Sequence, residues 1–452
     1  MLYANNPADQ RSEPAEETLH LVRLLARVRE AQITSRADLA RATGLSRATV
    51  SQHIDFLLNK AVITEMGTGE SSGGRRPRLL QFRSEAGFVG AVDLGATSLD
   101  VAITDLQGRV LTHHAEAATV LLGPEPVVAR AITLLQTLLL QLNLTPDHLW
   151  GIGMGVPGPV EYHTGLPVSP PIMPGWNAYP IRADFAHSFA CPVFVDNDVN
   201  IMAVGEAAAG LGVGIDNFLF VKIGTGIGAG IIVDGQIYRG SQGCAGDIGH
   251  IEVETAGQER VICRCGNVGC LEALAGGAAL AQLAEGAARS GESALLAARL
   301  ADQGTLTAAD VIEMANKGDA WATERIRSTG RLLGHTVASL VNFFNPGLVV
   351  IGGGLANAGD SFLAAIREAV YRRSLPLATR ALRIERSSLG GQGGVTGAAY
   401  VVLDELFSAR NLTYLIQLLD RDLSLVAANS PQPAAAVVRE MTFTPELERS
   451  GT

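Results

Sequence analysis

Residues 247–272 read DIGHIEVETAGQERVICRCGNVGCLE and bring His250, Cys263, Cys265 and Cys270 into one short stretch. Three of the chain's five cysteines fall within eight positions there. Thiolates and an imidazole suit Zn²⁺, and three sulfurs with one nitrogen close a tetrahedral site that leaves no position for a substrate. A structural metal is therefore expected rather than a catalytic one. Gly266 and Gly269 allow the loop to turn tightly enough for the sulfurs to converge. The plainer alternatives are three buried thiols or a disulfide. The polar, Gly-rich surroundings argue against the first, and the closeness of Cys263 to Cys265 argues against the second.

A second constellation is VDNDVN at 195–200, where Asp196 and Asp198 flank Asn197 at the end of an apolar run. A carboxylate there can take a hydroxyl proton, and an amide can both donate to and accept from a hydroxyl. The simpler alternative is an Asp helix cap with solvated neighbours. Three Gly-containing turns follow apolar runs: Asp93-Leu-Gly-Ala-Thr-Ser98, GTGIGAG at 224–230 and VVIGGGL at 349–355. Such turns can cradle phosphate, but a strand-to-helix turn needs glycine in any case.

The elements that position these groups follow from pattern. A chain of 452 residues, 47% hydrophobic with 51 glycines, fits two or three domains of a Gly-rich α/β protein. FVGAVDLGATSLDVAITDLQGRVL and NFLFVKIGTGIGAGIIVDGQIYRG repeat one strand–turn–strand pattern, with Asp93 matched to Val221 128 positions later. Duplication of this kind predicts a two-lobed, actin-like (ribonuclease-H-like, sugar-kinase) α/β fold with ligands in the cleft between lobes. No run of about 18 uncharged apolar residues occurs, and MLYANNPADQ lacks a signal-peptide pattern, so a cytoplasmic protein without membrane contact is expected.

Charge is uneven: residues 1–90 carry a net +2 and the remainder −12. In that head, Leu19, Val22, Leu25 and Ala26 are predicted to share the buried face of a first helix. Ser35 with Asp38 reads as a capping-box variant, Gly44 as a turn, and Ser46 as the cap of a third helix burying Val50, Ile54, Leu57 and Leu58. Two short helices joined by a Gly turn make a helix-turn-helix. Ser46, Arg47, Thr49, Gln52 and His53 would then face DNA from the recognition helix. Strands at 61–65 and 79–83 would form a wing whose tip carries Arg75, Arg76 and Arg78 for phosphates or a minor groove. A helical protein-interaction module with a basic loop is the bland alternative.

His250 followed by CxCGxxGCxE resembles the signature of the ROK family (repressor, open reading frame, kinase), in its transcriptional-repressor branch of xylose- and N-acetylglucosamine-responsive regulators. The resemblance spans roughly residues 15–405. It implies that Asn197 and Asp198 are the family's sugar-binding pair, Asp198 being the catalytic base in the kinases. It also implies sugar contacts from Asp247, His250 and Glu272, with Asp247 standing where the family has a glutamate. GMGVPGP at 153–159 is similar to the loop under the sugar, and PGW at 174–176 to the lid region. The family's first phosphate loop is close to DxGGTK; here Ala96 replaces a glycine and Ser98 the lysine, so no ATP cofactor is expected.

The expected organisation is a winged helix-turn-helix over 15–84, a first lobe over 88–200, a second lobe with the zinc loop over 201–408, and an extension at 411–452 to which no role is assigned. The expected function is a sugar-responsive regulator, a repressor rather than an enzyme. It would bind operator DNA as a homodimer or dimer of dimers and take a sugar effector in the interlobe cleft. An ATP-dependent sugar kinase with an appended DNA-binding head is the alternative.

Overall fold

The computed structural model describes residues 16–31, 33–68, 77–253 and 261–420. The wing tip with Arg75 and Arg76, and the tail beyond 420, lie outside them. The head runs α1 (Glu16–Ala31), β1 (Ile33–Ser35), α2 (Arg36–Thr43), α3 (Arg47–Asn59), β2 (Ile63–Thr68) and β3 (Arg78–Phe82). Local chemistry sets its boundaries. The Ser35 hydroxyl accepts from the Asp38 N–H and donates to the Asp38 carboxylate, while Gly44 ends α2 in the left-handed region at φ 71°. Ser46 caps α3 by accepting from the Thr49 N–H. The wing is a three-stranded sheet in the order β1-β3-β2. Arg36 ties α2 to α3 and the wing through Ser51 (2.8 Å), Asp55 (2.7 Å) and Glu65 (3.3 Å).

The buried face of α1 differs from expectation. It is Leu21, Leu24, Leu25 and Val28, whereas Leu19 is 46% exposed. α1 packs chiefly on α3, α2 and β3 of the head, and that tertiary packing sets which face is buried.

The body begins with β4 (Phe88–Leu94), β5 (Ser98–Asp105), β6 (Val110–Ala117), α4 (Pro124–Gln141) and β7 (Leu149–Val156). The short pair β8 (Val160–Glu161) and β9 (Leu166–Pro167), α5 (Ile181–Ala186), β10 (Val193–Asn197) and α6 (Asp198–Ala209) follow. Next come β11 (Phe218–Ile223), β12 (Ile227–Val233), β13 (Gln236–Ile237), α7 (Leu271–Ala275), α8 (Gly277–Ser290), α9 (Ala294–Gln303), α10 (Ala308–Asn316) and α11 (Ala320–Phe344). The chain continues through β14 (Leu348–Gly352), α12 (Asp360–Arg373), α13 (Pro376–Thr379), β15 (Arg383–Arg386), α14 (Gly393–Leu406) and α15 (Leu412–Asp420).

Two five-stranded sheets result, ordered β10-β7-β4-β5-β6 and β13-β12-β11-β14-β15. Each has a central strand antiparallel to the next strand in sequence and parallel to a later one. The duplication is real, but its register is one residue from the sequence match. The β4–β5 hairpin closes at Leu94 and Leu99, and the β11–β12 hairpin at Ile223 and Ile227. Asp93 therefore corresponds to Lys222, not Val221.

The lobes exchange helices. α6 follows the first sheet but packs on β11 and β12; α14 follows the second sheet but packs on β4 and β7. Glycines let the two cross closely. A Cβ on Gly397 would lie 1.6 Å from the Ile201 carbonyl oxygen, and one on Gly205 2.6 Å from that of Gly393. One continuous apolar core joins head and body: Leu21, Leu24, Leu25 and Val28 of α1 belong to the same cluster as Leu406 and Phe407 and as Leu412, Leu415, Leu418 and Leu419 around α15. α15 thus shares that core. No helix among the described residues is long and apolar enough to cross a membrane.

Candidate functional site

The cleft between the sheets encloses about 970 Å³ and is lined by all three Gly-rich turns and by Asn197, Asp198, Asp247, His250 and Glu272. The five residues expected around a sugar are thus brought to one cavity from three chain segments, 197–198, 247–250 and 272. β10 delivers Asn197, and α6 begins at Asp198. Asn197 is held from both sides: its Oδ1 accepts from the Val199 N–H (2.9 Å) and its Nδ2 donates to the Gly158 carbonyl (3.0 Å). It caps α6 and also fastens the Pro157–Pro159 loop to the cleft floor. Asp196 turns away. It is 2% exposed, paired with Arg239 (2.7 Å) and bonded by Asn200 (2.9 Å), and Arg239 stacks 3.7 Å over the Tyr162 ring. Its role is architectural.

Glu272 stands in the first turn of α7 and accepts from the Ile227 N–H (3.1 Å), so it bridges the segment after Cys270 to the second Gly turn. Asp247 is exposed and precedes the one-turn 3₁₀ segment Ile248–His250. Gly246 must be glycine for this segment to approach β12: its φ is 101°, and a Cβ would sit 1.8 Å from the Ala229 carbonyl oxygen. Trp176, in the expected lid region, is instead fully buried and donates to the Val120 carbonyl at 3.1 Å. It anchors the first lobe.

The donor atoms of His250, Cys263, Cys265 and Cys270 all lie within 4.8 Å of one another. Cys263 Sγ is 3.8 Å from His250 Nδ1, and Cys265 Sγ is 3.7 Å from Cys270 Sγ. Four ligands at tetrahedral zinc bond lengths are separated by about 3.5–3.8 Å, so the set fits a metal ion. Burial raises the pKa of Cys263 and of Cys270, which means that a cation is needed to keep these thiols as thiolates.

Sequence reasoning missed Lys222. Its ammonium pairs with the buried Asp198 carboxylate, and Asp93 lies beside the pair. Asp93 Oδ1 is buried without a hydrogen-bond partner. Burial pushes the Asp93 carboxyl up to about 7, against the opposing pull of Lys222. The available signal was a single lysine inside the otherwise apolar run FLFVKI.

On the head, Ser46, Arg47 and Gln52 are exposed and Thr49 is half-buried, all near the start of α3. His53 does not share that face. It is buried, edge-on to His20 of α1 with ring centroids 6.2 Å apart, because it lies on the α3 side that packs inward with Val50 and Ile54. Arg78 is exposed and ion-paired with Glu65 at the base of the wing.

The comparisons agree with this geometry. The xylose repressor of Caldicellulosiruptor bescii is 31% identical over 85% of this chain and 95% of its own. The glucokinase of Halalkalibacterium halodurans is 33% identical over 71% of this chain and 96% of its own. Among solved structures, a ROK family transcriptional regulator described as a homolog of E. coli MLC superposes with TM-score 0.74 at 27% identity, covering 89% of this chain and 99% of that one. A ROK family glucokinase from Streptomyces griseus in complex with glucose and AMPPNP gives 0.61 at 28%, covering 70% of this chain and 99% of that one. The ROK family profile matches residues 89–405, and on that match together with these relatives the chain belongs to the ROK family.

Proposed function

We propose that the protein is a sugar-responsive transcriptional repressor acting in the cytoplasm. It binds operator DNA through its winged head and releases it when a sugar fills the cleft. The observation that carries this reading is α14. Its first turn lies at the cleft, where Gly393 is part of the lining and Gly394 packs against Asp93. Its last turn enters the core that holds α1, through Leu406 and Phe407. The Phe407 ring meets Phe82 of the wing edge-on, with centroids 6.0 Å apart, and lies 4.9 Å under the Arg29 guanidinium. A 14-residue helix spans about 21 Å, so one rigid element links the ligand site to the DNA head.

Asn197, Asp198, Asp247, His250 and Glu272 take the sugar hydroxyls in this reading. Zn²⁺ is the ion suited to the Cys₃His set; His250, Cys263, Cys265 and Cys270 would hold it, and a His250 ring fixed in that way would offer its other nitrogen to a hydroxyl. The metal is structural, yet it orients a ligand contact. Ser46, Arg47, Thr49 and Gln52, with Arg75 and Arg76 of the wing, face DNA, and a homodimer or dimer of dimers sets two recognition helices in successive major grooves. Sugar binding that is tighter to one lobe arrangement shifts the population of head positions.

A kinase reading keeps one supporting observation, the buried carboxylate of Asp198 beside Asn197. A sugar panel separates the two. A sugar that raises the melting temperature without ATP, and weakens binding to DNA from upstream of the coding sequence, is the expected result. Turnover of ATP with that sugar, lost in Asp198→Asn, would establish the kinase instead.

A further inference from the structure

Phosphoryl transfer depends on a divalent cation bridging phosphate oxygens, held by protein carboxylates. Among the carboxylates that line this cleft are Asp93, from β4, and Asp198, from the start of α6. Lys222 of β11 sits against Asp198 with Asp93 nearby, at the position that mirrors Asp93 across the duplication. Its ammonium is paired with Asp198, interacts with Asp93 and lines the same cavity. All three side chains are largely buried, with Lys222 17% and Asp198 5% exposed. A buried carboxylate in such a place needs a cation or a proton, because an uncompensated buried charge is strongly unfavourable; Asp198 has the Lys222 ammonium, and burial favours the neutral form of Asp93. Here the cation is covalently part of the chain.

We propose that Lys222 is a built-in counter-ion that occupies the place of a divalent cation between Asp93 and Asp198, and so makes the cleft a receptor for a neutral polyhydroxy ligand that binds without metal or nucleotide. The residues present do not fit a Mg²⁺–nucleotide: an ammonium with three donors stands where a hard cation would need oxygen ligands. The pairing also has a consequence for recognition. One Asp198 oxygen is committed to Lys222, which leaves its other oxygen for a sugar hydroxyl. The orphan Asp93 Oδ1 provides a further acceptor on the same wall. The proposal builds on the sugar-sensor reading for its ligand class, while its cation half stands independently.

Manganese titration followed by electron paramagnetic resonance tests it on the full-length, zinc-loaded protein. Mn²⁺ favours oxygen ligands and competes poorly for a thiolate site already holding zinc. The wild type is expected to bind no Mn²⁺ in the cleft. Lys222→Ser is expected to gain one Mn²⁺ per chain, and the gain is lost again in the Lys222→Ser/Asp93→Asn double variant. Lys222→Arg, which keeps the charge, gains none. Should Lys222→Ser not fold, Lys222→Met removes the same charge with less lost volume and is read in the same way. Wild-type Mn²⁺ binding that Asp93→Asn abolishes, or a folded Lys222→Ser that binds no more than the wild type, would overturn the proposal. If no sugar shifts the wild-type melting temperature, the sensor reading fails while the manganese result still decides the counter-ion.

Discussion

Asp93 shows how much of the site is governed by burial. Its carboxyl titrates near 7 in the folded chain, against a reference of 3.8, because burial outweighs the attraction of Lys222. The native state therefore holds a proton that the unfolded state has released. The group's contribution to stability is complete below about pH 4 and is lost as pH rises through 7, with a slope of at most about 1.4 kcal/mol per pH unit. Urea midpoints measured from pH 5 to 8 should fall more steeply for the wild type than for Asp93→Asn; parallel curves would contradict this origin. At the metal, Cys265→Ser should release zinc, lower the melting temperature and weaken sugar binding through a misdirected His250. A variant that loses zinc but binds sugar normally would separate the two roles. The convergence of His250, Cys263, Cys265 and Cys270 was legible in sequence because thiolate and imidazole spacing is itself chemistry. Lys222 was not, since a lone lysine in a strand acquires meaning only when the fold sets it opposite Asp93. His53 shows the converse error: a polar type suggested a DNA contact, and helix phase put it indoors.

Among elements, α14 connects the most distant features. Its crossing with α6 depends on Gly397, and a Cβ there would overlap the Ile201 carbonyl. Gly397→Ala should destabilise the protein by about 1–3 kcal/mol, as overpacking typically does. It should also weaken the effect of sugar on DNA binding more than it weakens sugar binding itself. Element boundaries were legible where a cap or a glycine marks them, as at Ser35, Gly44 and Ser46. The exchange of α6 and α14 between lobes was not, because hydrophobic periodicity says that a helix has a buried face and not which sheet lies under it. The face of α1 was misread for the same reason. It packs chiefly on α3, α2 and β3, and Phe407 reaches it at Arg29.

For the whole molecule, the shared core of α1, α14 and α15 makes head and body one mechanical unit. Leu415 is fully buried in that core. Leu415→Ala should cost about 2–5 kcal/mol and loosen the head, reducing the sugar effect on DNA affinity while sugar still binds the cleft. Arg47→Ala should weaken specific DNA binding by about 1–3 kcal/mol if the guanidinium reads a base, with the body's sugar affinity unchanged. The two-lobed plan was legible from its internal repeat, although a one-residue slip in matching the halves concealed the Asp93–Lys222 correspondence. The role of residues 412–420 was not legible, because a short apolar helix near a terminus carries no sign of what it covers.

Cleft and head act as one coupled unit in the proposed repressor. The most direct measurement is fluorescence anisotropy of the zinc-loaded protein on its upstream DNA, titrated with the sugar that gives the largest melting-temperature shift, without ATP or added metal. The coupled repressor predicts that saturating sugar weakens DNA binding by roughly 5–150-fold, and that Asp198→Asn abolishes the response while leaving the sugar-free affinity unchanged. DNA affinity that stays constant while sugar saturates the cleft would contradict the account.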